Sequence, residues 1–114
     1  MQVSVETTGT LGRRMTVQVP AERIDQEVDN RLKSLARTAR ISGFRPGKVP
    51  FKIVQQRYGQ QVHLEVAGDV MSSSLHEALS QQNLRPAGQP KLEPRTVEQG
   101  KTLEFIAEFE IYPE

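Results

Sequence analysis

Apolar and polar residues alternate near the start of the chain, which is typical of β-strands. Residues 2–8 and 14–19 both have a period of two, and Gly9 and Gly12 bracket the short link between them. This pattern predicts a β-hairpin with one buried face. The apolar face of the second strand consists of Met15, Val17 and Val19.

The clearest strand pattern lies at the other end of the chain, after a turn predicted at residues 98–101. Its apolar face consists of Leu103, Phe105, Ala107, Phe109 and Ile111. We expect its partner strand at residues 89–97. Pro90 and Pro94 in that segment favour either an edge strand or a bulged one, because proline cannot donate a hydrogen bond to a neighbouring strand.

The middle of the chain has the three- and four-residue spacing of amphipathic helices. The first apolar stripe spans about five turns and consists of Ile24, Val28, Leu32, Leu35, Ala36 and Ala39. A short helix is predicted over Phe51–Tyr58, with Pro50 at its start and Gly59 at its stop. A third helix is predicted over about residues 61–82. Gly68 lies inside it at a cost of about 1 kcal/mol of helix propensity, for which a close packing contact is one explanation.

Strands at both ends with helices between them predict an α+β fold. We expect a four-stranded antiparallel sheet made from two terminal hairpins. Two longer helices and one short helix would pack on one face of that sheet. At 114 residues the chain has the length of one domain, which we place at residues 1–114.

Composition excludes several classes of site. The chain has no cysteine, so disulfides, thiolate metal sites and a cysteine nucleophile are excluded, and the cytosol is compatible with this composition. His63 and His76, the two histidines, are too few and too far apart for a metal site. The longest apolar run has three residues, whereas a membrane span needs about 20. We therefore expect no metal, no cofactor, no catalytic constellation and no membrane partner.

Charge is distributed unevenly along the chain. Eight basic residues and no acidic residue occur between Arg31 and Arg57, while the rest of the chain has seven basic and fourteen acidic residues. This asymmetry suggests a polyanionic partner for the basic segment. The alternative is that these are ordinary solvated charges at a helix end.

The loop between the first two predicted helices, residues 41–50, combines two glycines, two prolines, one aromatic ring and two cations. Residues that precede proline favour extended conformations, so we expect a shaped loop rather than a floppy one. Phe44 beside Arg45 and Lys48 suits a surface with apolar and anionic parts, unless the ring tucks back into the domain. The spacing does not match a nucleotide-binding P-loop, because three residues separate Gly43 from Gly47 and no hydroxyl follows Lys48.

These residues resemble a known family. The run Gly43-Phe44-Arg45-Pro46-Gly47-Lys48-Val49-Pro50 is similar to the Gly-Phe-Arg-x-Gly-Lys-x-Pro signature of trigger factor, the bacterial ribosome-associated chaperone. The resemblance extends over the whole chain, from the opening residues 1–7 to the closing residues 109–114. It implies an amino-terminal ribosome-binding domain. The isomerase and carboxy-terminal substrate-binding domains of full-length members are absent from this chain.

The resemblance also implies a site and partners. Phe44, Arg45 and Lys48 would dock beside the polypeptide exit tunnel, on a ribosomal protein and adjacent ribosomal RNA, with Gly43 and Gly47 in the same signature. We expect a secondary basic surface at Arg37, Arg40 and Lys52. Pro46 replaces a lysine of some members, which removes one cation and stiffens the loop. Nascent polypeptides are the other implied partners, a homodimer off the ribosome is a further one, and the implied location is cytoplasmic.

Other function classes remain open at this stage. A plain RNA-binding module could use the same basic stretch, although an aromatic platform for stacking bases is not obvious. An enzyme domain has no support in the residues, which show no catalytic constellation; separately, the resemblance implies that full-length members carry their isomerase domain elsewhere. Replacing Phe44 separates the first two functions, because an RNA-only binder would depend more on arginine and lysine than on one ring.

Overall fold

A computed structural model describes residues 1–98 and 100–113. Its elements are β1 (Gln2–Thr7), β2 (Gly12–Val19), α1 (Ala21–Ala36), α2 (Phe51–Gln81), β3 (Lys91–Thr96) and β4 (Leu103–Glu110). The four strands form one antiparallel sheet in the order β1-β2-β4-β3. The predicted α+β class and the two terminal hairpins are therefore confirmed. Gln99, in the predicted turn before β4, lies outside the described residues.

The apolar faces of the two central strands form the base of the core. Met15, Val17 and Phe105 have no solvent exposure, and Met15 and Val17 lie opposite Ala107 and Phe105 in the register of β2 and β4. Strand β3 combines both features that its prolines predicted. It lies at the sheet edge, and its register with β4 shifts between Pro94 and Thr96.

The first helix is shorter than its apolar stripe predicted. Helix α1 ends at Ala36, where the backbone N–H groups of Thr38 and Ala39 both donate to the carbonyl of Leu35. Ala39 is buried, but it lies in the loop rather than on the helix. The spacing was misleading because the chain continues to bury an apolar side chain after its helical hydrogen bonds have stopped.

The prediction of a separate short helix is wrong. Helix α2 runs without a break from Phe51 to Gln81, and Gly59 is a buried residue inside it. A Cβ at Gly59 would meet only the Gln55 side chain, at an ordinary contact distance of 3.8 Å. The helix continues because tertiary packing of the segments on both sides exceeds the propensity cost of one glycine. Where the sequence predicted two long helices and one short one, the structure therefore has two helices.

A close packing contact does not explain Gly68. Apart from its chain neighbours and the adjacent backbone of its own helix, no atom of the described residues lies within 4 Å of the position that its Cβ would take. Helix α2 ends at Gln81. Just beyond it, Asn83 adopts a positive φ of 54° and the N–H of Leu84 donates to the carbonyl of Leu79. This is a Schellman-type stop, in which asparagine takes the position that glycine more often fills.

The two helices form an antiparallel hairpin. Ion pairs join Arg31 to Asp69 at 2.8 Å and Arg23 to Glu77 at 3.6 Å, so earlier residues of α1 meet later residues of α2. The molecule is elongated, with extents of 62 × 23 × 19 Å. No helix in the described part of the chain combines the length and apolar character needed to cross a bilayer.

The first part of α2 precedes the point at which this helix reaches the sheet. Pro86 bridges to Ile111 just after the carboxyl end of α2, and the Nε2–H of His63 donates to the carbonyl of Val97 at 2.7 Å, just past the far end of β3. These two contacts mark opposite ends of the sheet along α2. At about 1.5 Å per residue, residues 51–62 form roughly 18 Å of helix before this contact, and Gln55 in this segment still lines a surface pocket with Gly100 of the turn before β4. The loop at residues 37–50 lies directly before this segment, at the tip of the helical hairpin.

Candidate binding surface at the tip of the helical hairpin

The tip loop, residues 37–50, is shaped by two consecutive turns. The N–H of Phe44 donates to the carbonyl of Ile41 at 3.1 Å, and the N–H of Lys48 donates to the carbonyl of Arg45 at 2.9 Å. The third residue of each turn is a glycine with positive φ, 93° at Gly43 and 76° at Gly47. Positive φ at the third position is typical of type II turns, and Pro46 occupies the second position that such turns favour. The prediction of a shaped loop is confirmed.

Gly47 is also constrained by a close approach. A Cβ at this position would lie 3.0 Å from the carbonyl oxygen of Arg37, and backbone atoms have little freedom to move aside. The second turn therefore packs directly on the end of α1. Gly43, by contrast, has open space around the position of its Cβ.

Buried apolar side chains hold both ends of the tip loop. Ala39 and Ile41 precede the turns, Val49 follows them, and all three belong to the main core. The seven residues between them, 42–48, are all exposed. The loop is thus a short exposed segment between fixed ends.

Phe44 is the aromatic ring of this exposed segment, and it retains 40% of its surface. The ring is therefore partly covered by the domain and partly open to a partner. Because Phe44, Arg45 and Lys48 lie within two adjoining turns, the loop brings together the apolar and cationic groups that the sequence singled out.

The eight basic residues of the stretch between Arg31 and Arg57 divide into two groups. Arg31 pairs with Asp69 and Glu27, and Lys33 pairs with Asp29. The hydrogen bonds from Arg31 to these two carboxylates, that to Asp69 being the stronger influence, raise the pKa of its guanidinium. These two residues are balanced by nearby acids and add little to the positive potential of the tip.

The other six cations are exposed, and none forms an ion pair within residues 1–98 and 100–113. They are Arg37, Arg40, Arg45, Lys48, Lys52 and Arg57. Five of them were predicted site residues, and all five lie on the tip loop or the first turn of α2. Arg57 was not singled out as a site residue, although its place in the acid-free stretch could have identified it.

This arrangement can bind a surface that has both negative charge and apolar area. Arginine offers forked hydrogen bonds to phosphate or carboxylate, lysine offers a point charge, and the ring offers apolar contact. Because these six cations are exposed and form no ion pair with any residue that the structure describes, no such pair has to break before they bind a partner. Their contribution should fall with added salt.

The histidines and the paired carboxylates of β4, which were the other candidate sites, lie in ordinary structural positions. His63 is buried and bonds to the Val97 carbonyl, whereas His76 is exposed. Glu108 pairs with Arg14 at 2.8 Å on the polar face of the sheet. Over the described ranges, no three potential ligands cluster closely enough to hold a metal ion.

Comparison with known proteins links the whole chain to one family. The family model for bacterial trigger factor matches residues 1–114. Trigger factor of Thioalkalivibrio sulfidiphilus is 64% identical over 113 residues, which are 99% of this chain and 26% of that protein. Trigger factor of Teredinibacter turnerae is 58% identical over all 114 residues, which are 26% of that protein. The chain thus spans about a quarter of the length of these relatives.

A solved structure also has this fold. A trigger factor chaperone studied for promiscuous substrate recognition in folding and assembly superposes with a TM-score of 0.63, over 97% of this chain and 27% of its own. The two sequences are 19% identical in this alignment, so this likeness supports the architecture alone.

Proposed function

Because the chain belongs to the bacterial trigger factor family, a family of chaperones, we propose that it docks on the ribosome through the tip loop. The docking point would lie near the exit tunnel, on a ribosomal protein and adjacent ribosomal RNA, in the cytoplasm. There the longer protein would assist the folding of emerging chains. The matched region is the amino-terminal one of the family, so this segment is not itself an enzyme.

One observation carries the proposal: the tip loop presents Phe44 with the four cations Arg37, Arg40, Arg45 and Lys48, and Lys52 and Arg57 follow on α2; none of the six forms an ion pair in the described part of the chain. A ribosome surface has phosphates and protein carboxylates that such cations recognise. The loop packs on the end of α1 and lies ahead of the part of α2 that reaches the sheet at His63. The loop could therefore contact a large particle without a clash from the sheet.

The structure allows an estimate of the contribution from the ring. An aromatic side chain has roughly 150–250 Å² of surface to bury, and Phe44 keeps 40% exposed, which leaves about 80 Å² for a partner. At about 25 cal/mol per Å², this area contributes about 2 kcal/mol. We expect Phe44→Ala to weaken ribosome binding by about 30-fold.

Co-sedimentation with purified bacterial ribosomes tests the site. The variant Phe44→Ala/Arg45→Ala/Lys48→Ala should lose binding and keep its fold, because exposed loop charges contribute little to stability. A matched control removes an exposed ring and two exposed arginines elsewhere, in the variant Tyr112→Ala/Arg85→Ala/Arg95→Ala. The control should bind as the wild type does. Equal loss in both variants, or binding by the loop variant, would contradict docking through the loop.

A plain RNA-binding function differs in its dependence on the ring. Arg45→Ala and Lys48→Ala should weaken both kinds of binding, whereas Phe44→Ala should weaken ribosome binding far more than binding to isolated ribosomal RNA. Wild-type binding should also fall in about 0.5 M salt, because exposed charge contacts are screened. If Phe44→Ala has no effect on ribosome binding, plain RNA binding would be better supported than docking through the ring.

A homodimer in the absence of ribosomes is a further part of the proposal. The same exposed loop would be available to a second copy when no ribosome occupies it. Light scattering of the 114-residue chain, with and without the loop substitutions, tests this. A monomer at all concentrations would remove self-association from the proposal.

A further inference from the structure

The two edges of the sheet differ in how they are protected against pairing with another strand. Edge strand β3 contains Pro94 and a register shift, both of which disrupt pairing. Edge strand β1 has six residues in regular register with β2 and contains no proline, lysine or arginine. Within the described residues, β1 pairs with β2 alone. We call its other side the free edge of β1.

Hydrogen-bond parity shows which residues face this free edge. The N–H of Thr8 donates to the carbonyl of Gly12 at 3.0 Å, which makes this a hydrogen-bonded pair. Bonded and non-bonded pairs alternate along an antiparallel ladder, so Ser4 and Glu6 bond to β2. The N–H and C=O groups of Val3, Val5 and Thr7 therefore point outward.

The other side of β2 gives the same parity. The N–H of Ile111 donates to the carbonyl of Leu11 at 2.9 Å, just outside the β2–β4 ladder. By alternation, Arg13, Met15 and Val17 bond to β4, which leaves the even-numbered residues of β2 to bond to β1. Both hydrogen bonds thus place the odd-numbered residues of β1 at the free edge.

The same odd-numbered residues lie on the core face of the sheet. Val3 is paired with Val17 and Val5 with Met15, both of which are fully buried. Val5 nevertheless keeps 37% of its surface exposed, because no strand covers it from the edge. Glu6, the one charged residue of β1, lies on the opposite face, across from Arg14 of β2 in the register, although the two form no close ion pair in the described part of the chain.

We propose that the free edge of β1 captures an extended segment of unfolded polypeptide, which adds to the sheet as a fifth, antiparallel strand. Its residues opposite Val3, Val5 and Thr7 would form hydrogen-bonded pairs, with their side chains on the core face. This geometry selects apolar or β-branched residues at every second position. The intervening residue opposite Glu6 would preferably be basic.

Charge gives such a segment one contact, beside the one that Arg14 already makes available to Glu6, that a second copy of this chain lacks. A second copy that paired through its own β1 could not place a cation opposite Glu6, since β1 contains none. An unfolded segment can do so. The identity of the occupant as a client polypeptide rests on the proposed chaperone role, whereas the free edge itself does not depend on that role.

A labelled peptide with the core Thr-Lys-Val-Thr-Ile-Thr tests the proposal by fluorescence anisotropy. Read antiparallel to β1, it places threonine, valine and isoleucine opposite Thr7, Val5 and Val3, and lysine opposite Glu6. The control peptide has proline in place of its central valine. We expect saturable binding of the first peptide and at least about threefold weaker binding of the control, since one or two hydrogen bonds are lost. Equal affinity for both peptides would overturn strand addition.

Variants at Val5 test the edge from the protein side. Val5→Pro removes an outward N–H but no bond to β2, and should weaken peptide binding about threefold to tenfold. Val5→Thr keeps both the N–H and the branched shape, and should bind almost as the wild type does. If Val5→Pro does not fold, Val5→Lys keeps the N–H but adds a charge at the edge, and should also weaken peptide binding at least about threefold. Unchanged binding by Val5→Lys would overturn the proposal.

Amide hydrogen exchange gives an independent signature. The peptide should slow exchange at Val3, Val5 and Thr7, and should change Ser4 and Glu6 little because they already bond to β2. If the peptide slowed exchange equally at all five of these amides, or at none of them, the assignment of Val3, Val5 and Thr7 to the free edge would be contradicted. A dimer of the wild type that Val5→Pro dissolves would instead identify a second copy as the occupant and overturn the peptide assignment.

These results are separable from ribosome docking. The Val5 variants should co-sediment with ribosomes as the wild type does, and the loop variant Phe44→Ala/Arg45→Ala/Lys48→Ala should bind the peptide normally. Loss of both activities in either variant would show that the two surfaces are not independent, and would contradict the edge assignment.

Discussion

The second glycine of the tip loop provides a sharp test of the loop geometry. Replacing Gly47 by alanine places a Cβ on a residue with φ of 76° and 3.0 Å from the carbonyl oxygen of Arg37. A left-handed conformation costs a residue with a Cβ about 1–2 kcal/mol. The close approach to a backbone atom adds to this cost, because the turn or the end of α1 must shift. We therefore expect Gly47→Ala to lower the free energy of unfolding by more than about 2 kcal/mol.

Gly43 provides the matched control. Its φ of 93° imposes the same kind of strain, but a Cβ there would meet nothing within 4 Å. Gly43→Ala should therefore cost only the conformational part, about 1–2 kcal/mol. The difference between the two variants measures the contact with Arg37 separately from the backbone strain.

Urea denaturation followed by circular dichroism measures both variants, with the melting temperature as a second readout. At this chain length, each kcal/mol corresponds to a shift of about 3–6 °C. We also expect Gly47→Ala to weaken ribosome co-sedimentation, since the turn that places Arg45 and Lys48 is displaced. If Gly47→Ala proves no less stable than Gly43→Ala, the second turn does not pack on the end of α1 as described.

Three further predictions concern the helices, the core and the turn before β4. Gly59→Ala should raise the stability by up to about 1 kcal/mol in urea denaturation, because the position is helical and its Cβ would have room; a loss of stability would support a helix stop there instead. Phe105→Ala should cost about 3–5 kcal/mol in the same assay, because the ring is fully buried, and a cost below 1 kcal/mol would contradict its place in the core. Lys101 lowers the pKa of the Glu98 carboxyl, chiefly by a hydrogen bond. Because the pKa of Glu98 is lower in the folded state, its ionised carboxylate stabilises the fold at pH values above the ordinary glutamate pKa. This stabilisation disappears as the pH falls through the folded-state pKa. Lys101→Ala should therefore reduce the melting temperature near neutral pH more than in strong acid. An equal reduction at both pH values would show that the ion pair does not contribute.

Alternation and amphipathic spacing predicted the sheet because both central strands bury one full face. Met15, Val17 and Phe105 could be assigned to the core from position alone, and Pro94 marked the edge strand. The helix ends were less predictable. Local signals at Gly59 favoured a stop, whereas continuous packing of α2 determined the outcome. Such tertiary contacts are not visible in a window of a few residues.

The tip loop was partly predictable for a similar reason. Proline and glycine spacing defines turns locally, so the shaped loop around Pro46 and Gly47 followed from the sequence. The division of the basic stretch did not. Arg31 is neutralised by Asp69, which is 38 positions away along the chain and close only because the helices pack antiparallel. Counting charges along the sequence therefore overestimates the basic surface by two residues, since Lys33 is also paired.

The exposed tip loop between buried anchors suits rapid and reversible docking. Ala39, Ile41 and Val49 are fixed in the core, and two turn hydrogen bonds already order the residues between them. Binding therefore has to order side chains but not the backbone, which reduces the entropic cost of association. The unpaired cations would accelerate encounter with an anionic surface, and the limited apolar area of Phe44 would keep dissociation fast. If this reasoning is correct, added salt should lower the association rate more than it raises the dissociation rate, whereas Phe44→Ala should mainly raise the dissociation rate. Stopped-flow measurements with labelled ribosomes would separate the two effects, and a purely salt-dependent dissociation rate would contradict this account.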